Sequence, residues 1–512
     1  MQKSLFRSTT IVSGTTSISR ILGFLRDMLI AHIFGATPAI DAFYVAFRIP
    51  NFMRGLFAEG GFAQAFVPVL SEYRQTRSFD EVRLFIARMQ GSLGLALLLI
   101  VTLALIFTPL ITTVFAPGYT QDPHRFELAT HMLRITFPYL MLISLTAFYG
   151  SILNTYGLFG IPSFTPVILN LVMIIAAVWG SHYFAEPVFA LAWGVLLAGV
   201  CQFLFQLPFL KFHNLFVWPR FVWRDEGVQR VMKLLVPALF GVSVAQISLL
   251  VDTLFASFLP TGSITWLYYS DRLIYFPLGI FGVALATVVL PHLSRKHADR
   301  SIDDFSKALD WALRCVLVIA VPAAIGLFML AAPLFAGLFQ YGKFLQHDAL
   351  MAARSLRAYA FGLPAFMLVK VLASGFYSQQ DIKGPVRIAV AALIVNMILN
   401  FILIWPMAHA GLALATALSS TLNAGLLFLG LLRRKSFTLQ KGWPKYLLQL
   451  AFASLAMFAL LFWLTPKISL WFSWHWQQRI LHLVFLLLTS MIIYLVCLRL
   501  VGLRLWDFRG KG

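Results

Sequence analysis

"TPLITTVFAPGY" occupies residues 108–119, and "APLFAGLFQYGK" (332–343) repeats its pattern 224 positions later, with Pro109 against Pro333 and Gly118 against Gly342. Almost the same offset recurs three more times. "VPVLSEYR" (67–74) matches "LPHLSRKH" (290–297) through Pro68 and Pro291. Pro162 of "LFGIPSFTP" matches Pro385 of "DIKGPVRIA", and "RDMLIAHIF" (26–34) matches "VDTLFASFL" (251–259) through Asp27 and Asp252. Four matches at one offset mark an internal duplication, and duplicated apolar helices are a plan of secondary transporters.

The apolar character is plain from composition. Of 512 residues, 60% are hydrophobic and 12% charged, with a mean hydropathy of +0.82; soluble domains carry about 25% charged residues. The chain is therefore read as an integral membrane protein. A net charge of +20 would suggest nucleic acid in a soluble protein, but here the cations follow the loops, and nucleic-acid binding is excluded. Cys201, Cys315 and Cys497 lie inside apolar runs with no metal or disulfide spacing and read as small hydrophobes. The basic start "MQKSLFRSTT" is not followed by an uninterrupted apolar core with a cleavage site, so the first helix is expected to stay.

Apolar runs of about 20 residues bounded by charges or Pro/Gly clusters give 14 expected transmembrane helices. The fold class is an all-α polytopic membrane protein: two pseudo-symmetric six-helix lobes, 1–225 and 226–435, around a central cavity, with two further helices in 436–512. Six spans in each lobe give both the same topology, so the repeat axis runs along the membrane normal and suits alternating access. Lys3, Arg7, Arg74, Arg77, Arg220, Arg224, Arg295, Arg433 and Arg434 crowd the termini and even-numbered loops. That asymmetry puts both termini in the cytoplasm.

Charges also occur inside the spans. "SISRILGFLRDMLIAHIFGA" (17–36) holds Arg20, Arg26 and Asp27; "DAFYVAFRIPNFMRGLFAEGGF" (41–62) holds Asp41, Arg48, Arg54 and Glu59; Asp252, Asp271, Arg272 and Lys370 lie farther on. Each charge costs roughly 2.5–3.5 kcal/mol at a helix centre on insertion scales, so such groups face a bundle interior or water. Arg48, Arg134 and Arg314, near helix ends, read as snorkelling or paired ions. Arg20, Arg26, Arg54 and Arg272 outnumber the adjacent acids and are expected to line the cavity. A guanidinium grips phosphate oxygens in a planar fork and stays charged, which points to an anionic cargo. Gly23 leaves room for cargo or a neighbouring helix, and Pro50 is either a flex point or an ordinary membrane-helix proline. Asp252, Asn396, Asn400 and Thr416 are either an oxygen-rich cation site or interhelical hydrogen-bonding groups. No G-x-x-x-x-G-K-[ST] segment occurs, which argues against ATP hydrolysis.

"SRILGFLRD" (19–27), "DAFYVAFRIPNFMRGLFAEGGFAQAFVPVLSEY" (41–73), "YYSDRLIYFPLGIFGVALATVVLPHLS" (268–294) and "GFYSQQDIKGPVRIA" (375–389) resemble the MurJ/MviN lipid II flippases of bacterial peptidoglycan synthesis. The resemblance covers nearly the whole chain and weakens after about residue 435. It implies the fold of the multidrug/oligosaccharidyl-lipid/polysaccharide exporters. It also implies transport of undecaprenyl-diphosphate disaccharide-pentapeptide from the inner to the outer leaflet of the cytoplasmic membrane. The family's functional arginines match Arg20, Arg26, Arg54 and Arg272; Asp41, Asn51 and Glu59 sit at other marked positions, and Lys370 joins them as a substrate-binding candidate. Sodium or the membrane potential is the expected energy source, and the last two helices are natural candidates for a lipid-tail groove. The partners expected are lipid II, membrane lipids and cell-wall synthesis proteins, around a monomer. Where relatives carry an acid three positions after the span-8 arginine, this chain has Tyr275. Another exporter of the superfamily, for lipid-linked oligosaccharides or drugs, is the alternative; a membrane enzyme acting on polyprenyl phosphates is disfavoured by short loops without clustered His, Cys or paired carboxylates.

Overall fold

The structure is a computed structural model that describes residues 2–56, 62–222, 224–298, 301–434 and 436–503, all of whose regular elements are helices. The first half holds α1 (Gln2–Phe34), α2 (Pro38–Leu56), α3 (Phe62–Thr76), α4 (Phe79–Ile106), α5 (Thr108–Phe115), α6 (Pro123–Thr136), α7 (Tyr139–Thr155), α8 (Gly160–Val178) and α9 (Phe189–Phe212). Then come α10 (Glu226–Ala256), α11 (Ser263–Pro277), α12 (Val283–Ala298), α13 (Ile302–Met329), α14 (Ala331–Leu338), α15 (Gln346–Tyr377) and α16 (Lys383–Arg433). The chain closes with α17 (Trp443–Leu464), α18 (Ile468–Ser473) and α19 (Trp476–Leu500).

The duplication reappears in local structure. α4 and α13 are both 28 residues long, and each starts on a serine cap: Ser78 accepts from the Glu81 amide, and Ser301 from the Asp304 amide. Such caps satisfy one of the amides that a helix start leaves without a carbonyl partner. Each long helix ends at a joint of similar geometry, Phe107 (φ −96°, ψ 22°) and Leu330 (φ −93°, ψ 10°). An eight-residue helix follows in both halves, with Pro109 or Pro333 near its start, where a missing N–H is tolerated. Residues 264–293, one of the 14 expected spans, lie in one continuous helical run, α11 and α12, which is widened by a π-helical turn at Leu278–Gly282 after Pro277. α16 comprises two of the expected spans, 385–406 and 410–432, as two arms separated by a backbone reversal at Ala408 (φ 49°, ψ −131°). A Cβ at Gly411 would run into the Leu403 carbonyl, so that reversal requires glycine.

Nine helical stretches among the described residues are long and apolar enough to cross a membrane, Lys383–Arg433 being one of them. Outside that set stand α1, α2 and α11, which carry Arg20, Arg26, Asp27, Asp41, Arg48, Arg54, Asp271 and Arg272.

The chain packs as two units, Met1–Ile264 and Thr265–Gly512. This division falls later than the expected 225/226 boundary because α10, which opens the second repeat, packs on α2 and α3. At its start Asp225 pairs with Arg88, and Arg230 pairs with Glu72 at 2.8 Å. The Arg230 guanidinium holds the Glu72 carboxyl below its usual range. In the last turn of α10, Thr253 Oγ1 accepts from Arg48. Past its end, the Gly118 amide donates to Ser257 Oγ at 3.0 Å, and the Gly262 amide to Asp41 Oδ2 at 2.6 Å.

Within the second unit α15 packs on α16 and α13, while α17 packs on α19 and α13, so the last helix pair belongs to this unit. Arg479, 6% exposed, fastens α19 to α14 and α18. Its Nη1 donates to the Ala336 carbonyl (2.9 Å) and to the carbonyl and side chain of Gln340; Nη2 reaches the Phe472 carbonyl (3.0 Å) and Nε the Trp474 carbonyl (2.9 Å).

The α15–α16 contact is close enough to test. A Cβ at Gly362 would lie 2.7 Å from the Ala417 Cα, whereas Gly425 faces open space. Gly362→Ala is expected to destabilise the detergent-purified protein by about 1–3 kcal/mol through overpacking, with Gly425→Ala neutral or stabilising in the same thermal melt.

Candidate functional site

Within the first unit the charged residues of α1 separate into two kinds. Arg26 and Asp27 are buried, 6% and 2% exposed, whereas Arg20 is exposed. Arg26 Nε and Nη2 both donate to Asp27 Oδ1, at 3.0 and 2.7 Å, and Nη1 donates to Asn170 Oδ1 at 3.0 Å. The Asn170 amide nitrogen in turn donates to the Ser19 carbonyl at 2.8 Å. Asn170 packs over Gly23, where a Cβ would lie in ordinary contact with it at 3.4 Å. The space read from Gly23 is thus occupied by a neighbouring helix: α8 reaches α1 with the one amide side chain in "GIPSFTPVILNLVMIIAAV" (160–178). That lone Asn was the signal for the partner, and sequence reading passed over it.

On α2, Asn51 Oδ1 accepts from Arg54 Nε at 2.9 Å, bringing two predicted site residues together and aiming the guanidinium. Both are half-buried. Asp41, by contrast, is 1% exposed and holds the Gly262 amide in a turn where Gly262 has φ +93°. Arg48, read as a snorkelling or paired residue, ties α2 to α10 through Thr253 and the Leu249 carbonyl. Glu59 lies outside the described residues.

In the second unit Arg272 is half-buried and donates through Nη2 to the Tyr268 hydroxyl at 2.7 Å, with its guanidinium 4.8 Å from that ring's centroid. One residue thus supplies both a hydrogen bond and a cation–π face. Tyr275, at the position of the relatives' acid, is 46% exposed. Lys370 is exposed on α15. Asn396, Asn400 and Thr416 come together on the two arms of α16: Asn400 Nδ2 donates to Asn396 Oδ1 (3.3 Å), and Asn396 Nδ2 to Thr416 Oγ1 (3.4 Å). Asp252, 6% exposed, belongs to α10 and the first unit.

The arrangement offers exposed or half-exposed guanidinium groups suited to an oxyanion, each oriented by a neutral amide or phenol where a partner is seen. Arg26 differs in being buried, with its guanidinium held by Asp27 and Asn170.

Known proteins resemble the chain over nearly its whole length. The family model described as lipid II flippase MurJ matches residues 30–483. A probable lipid II flippase MurJ of Haemophilus influenzae is 45% identical over 502 residues, covering 96% of this chain and 98% of the relative. That of Vibrio cholerae is 46% identical over 517 residues, covering 100% and 98%. Among solved structures, a lipid II flippase MurJ in an inward closed conformation superposes with a TM-score of 0.81 at 28% identity, covering 95% of this chain and 98% of that one. An inward-facing multidrug transporter of the MATE family shares the fold alone, with a TM-score of 0.69 at 15% identity over 83% and 98% of the two chains.

Removing one partner of a buried charge pair costs about 3–5 kcal/mol. Asp27→Ala should therefore lower the unfolding temperature strongly and Asn170→Ala less so, whereas Arg20→Ala should leave the melt of the purified protein unchanged.

Proposed function

The chain belongs to the lipid II flippase MurJ family, and we propose that it moves lipid II from the inner to the outer leaflet of the cytoplasmic membrane by alternating access. Lipid II combines a diphosphate, sugars and a peptide with an isoprenoid tail. In this proposal Arg20, Arg54 and Arg272 take the diphosphate oxygens, with Asn51 and Tyr268 holding two of those guanidinium groups in aim. Lys370 adds a further cation. Arg26 acts through the shape of α1, because its donors serve Asp27 and Asn170, and Asp41 secures the turn after α10. The tail stays in lipid, along α17 and α19.

The observation that carries this reading is the pairing of whole-length 45–46% identity with guanidinium groups left accessible at three of the four matched positions. A drug exporter of organic cations would instead want carboxylates there. The protein is a multi-pass membrane protein; its cytoplasmic termini and its lack of enzymatic activity are parts of the proposal. A purified sample is expected to release neither phosphate nor sugar from lipid II.

For energy coupling, the oxygens of Asn396, Asn400 and Thr416 are hard ligands of the kind sodium takes, and Asp252 would add the carboxylate. Sodium, not potassium, should then raise the melting temperature, with Asp252→Ala abolishing the effect. Equal melts in both salts would leave these residues as interhelical hydrogen-bonding groups.

Cells depleted of the protein should lose access of an externally added headgroup-cleaving toxin to lipid II. Arg20→Ala, Arg54→Ala or Arg272→Ala should each fail to restore access at normal protein levels. Access unchanged by depletion, in cells with no other flippase, would refute the function.

A further inference from the structure

A second set of arginines and histidines is duplicated with the fold and is absent from the site above. "HRFELATHMLR" (124–134) on α6 and "HDALMAARSLR" (347–357) on α15 align at an offset of 223, pairing His124 with His347, His131 with Arg354, and Arg134 with Arg357. Seven and ten residues are about two and three helical turns, so each trio lies along one face. All six side chains are exposed on their own unit, while the residues between the last pairs, Met132 and Leu133 or Ser355 and Leu356, are buried. Among the described residues no carboxylate pairs with Arg134, Arg354 or Arg357.

These stripes run into helical stretches that are apolar enough to cross a membrane, Pro123–Thr155 and Gln346–Tyr377. Arg134 and Arg357 each lie 11 residues past the helix start, a rise of about 16 Å. Arginines at such depth seldom face lipid, and they mark substrate paths. Both helices follow connections poor in Lys and Arg, which puts their starts on the outer side.

We propose that each half carries its own outward anion-docking stripe, in which Arg134 on α6 and Arg354 with Arg357 on α15 receive the diphosphate on its way to the outer leaflet. This rests on the lipid II reading and adds a release side to it. A path must bind its cargo enough to admit it and weakly enough to let it go. Exposed arginines that no carboxylate, amide or phenol among the described residues holds in aim meet that need by binding loosely.

The stripe is tested in a background with Cys201, Cys315 and Cys497 replaced by Ala. Glu127→Cys and Leu350→Cys, on the same faces, should react in intact cells with a membrane-impermeant sulfonated maleimide. Inorganic pyrophosphate should slow both reactions. Arg134→Gln should remove that protection at position 127, and Arg357→Gln at position 350. In proteoliposomes the double Arg134→Gln/Arg357→Gln variant should flip lipid II about tenfold more slowly, the scale of one lost charge-assisted hydrogen bond. The double Lys variant should recover most of the rate.

No labelling, protection that survives the Gln changes, or full-speed flipping by the double Gln variant would each overturn the proposal. Wild-type protein that fails to flip lipid II would overturn the function instead, and pyrophosphate protection would still decide whether the stripe binds anions.

Discussion

A charge kept inside a bilayer must be met by the protein's own polar groups or by water in a cavity, and this requirement organises the molecule. Arg26 meets it with a carboxylate and an amide, Asp41 with a backbone amide, and Arg48 with a hydroxyl and a carbonyl. Each match crosses from one helix or turn to another, except for the adjacent Asp27. The polar contacts therefore also specify which helices touch, in a medium where apolar surfaces have little preference among neighbours. The arginines proposed to hold cargo, Arg20, Arg54 and Arg272, retain exposure that Arg26 lacks.

Much of the fold was legible because the duplication is written in prolines and caps. Pro109 and Pro333 mark the starts of matching short helices, and Ser78 and Ser301 those of matching long ones. The π-turn after Pro277 was not legible, since apolar runs show length and hydropathy but not where a ladder of hydrogen bonds loosens, whereas the reversal at Ala408 falls in the gap between two expected spans. For the site, residue types gave the arginines, while orientation needed coordinates. Arg26 and Arg20 look alike in a string, yet only one of them faces a lone Asn on α8. The stripe residues of α15 escaped notice for a related reason: Arg354 and Arg357 sit near the start of a long apolar helix, where snorkelling is the ordinary reading.

α10 shows that ancestry and packing divide the chain differently. By sequence it is the counterpart of α1, and its Asp252 answers to Asp27, both buried. By packing it completes the first unit through Asp225, Arg230, Thr253 and Ser257. A helix that belongs to one repeat and packs with the other makes the connection after it a covalent link between the units rather than a passive loop. Asp41 secures the turn in that connection.

Arg479 carries a different implication. Its acceptors are carbonyl oxygens and one amide oxygen, with an aromatic face beside it at Tyr341. None of these groups gains or loses a proton in water that bacteria inhabit. The join between the final helix and α14 is therefore indifferent to acidification, unlike the Glu72–Arg230 pair, which weakens once its acid is protonated. The last helix is thus seated on α14 and α18 by contacts that acid leaves in place, whereas the start of α17 leans on a carboxylate, Asp310, which accepts from the Trp443 indole at 2.6 Å.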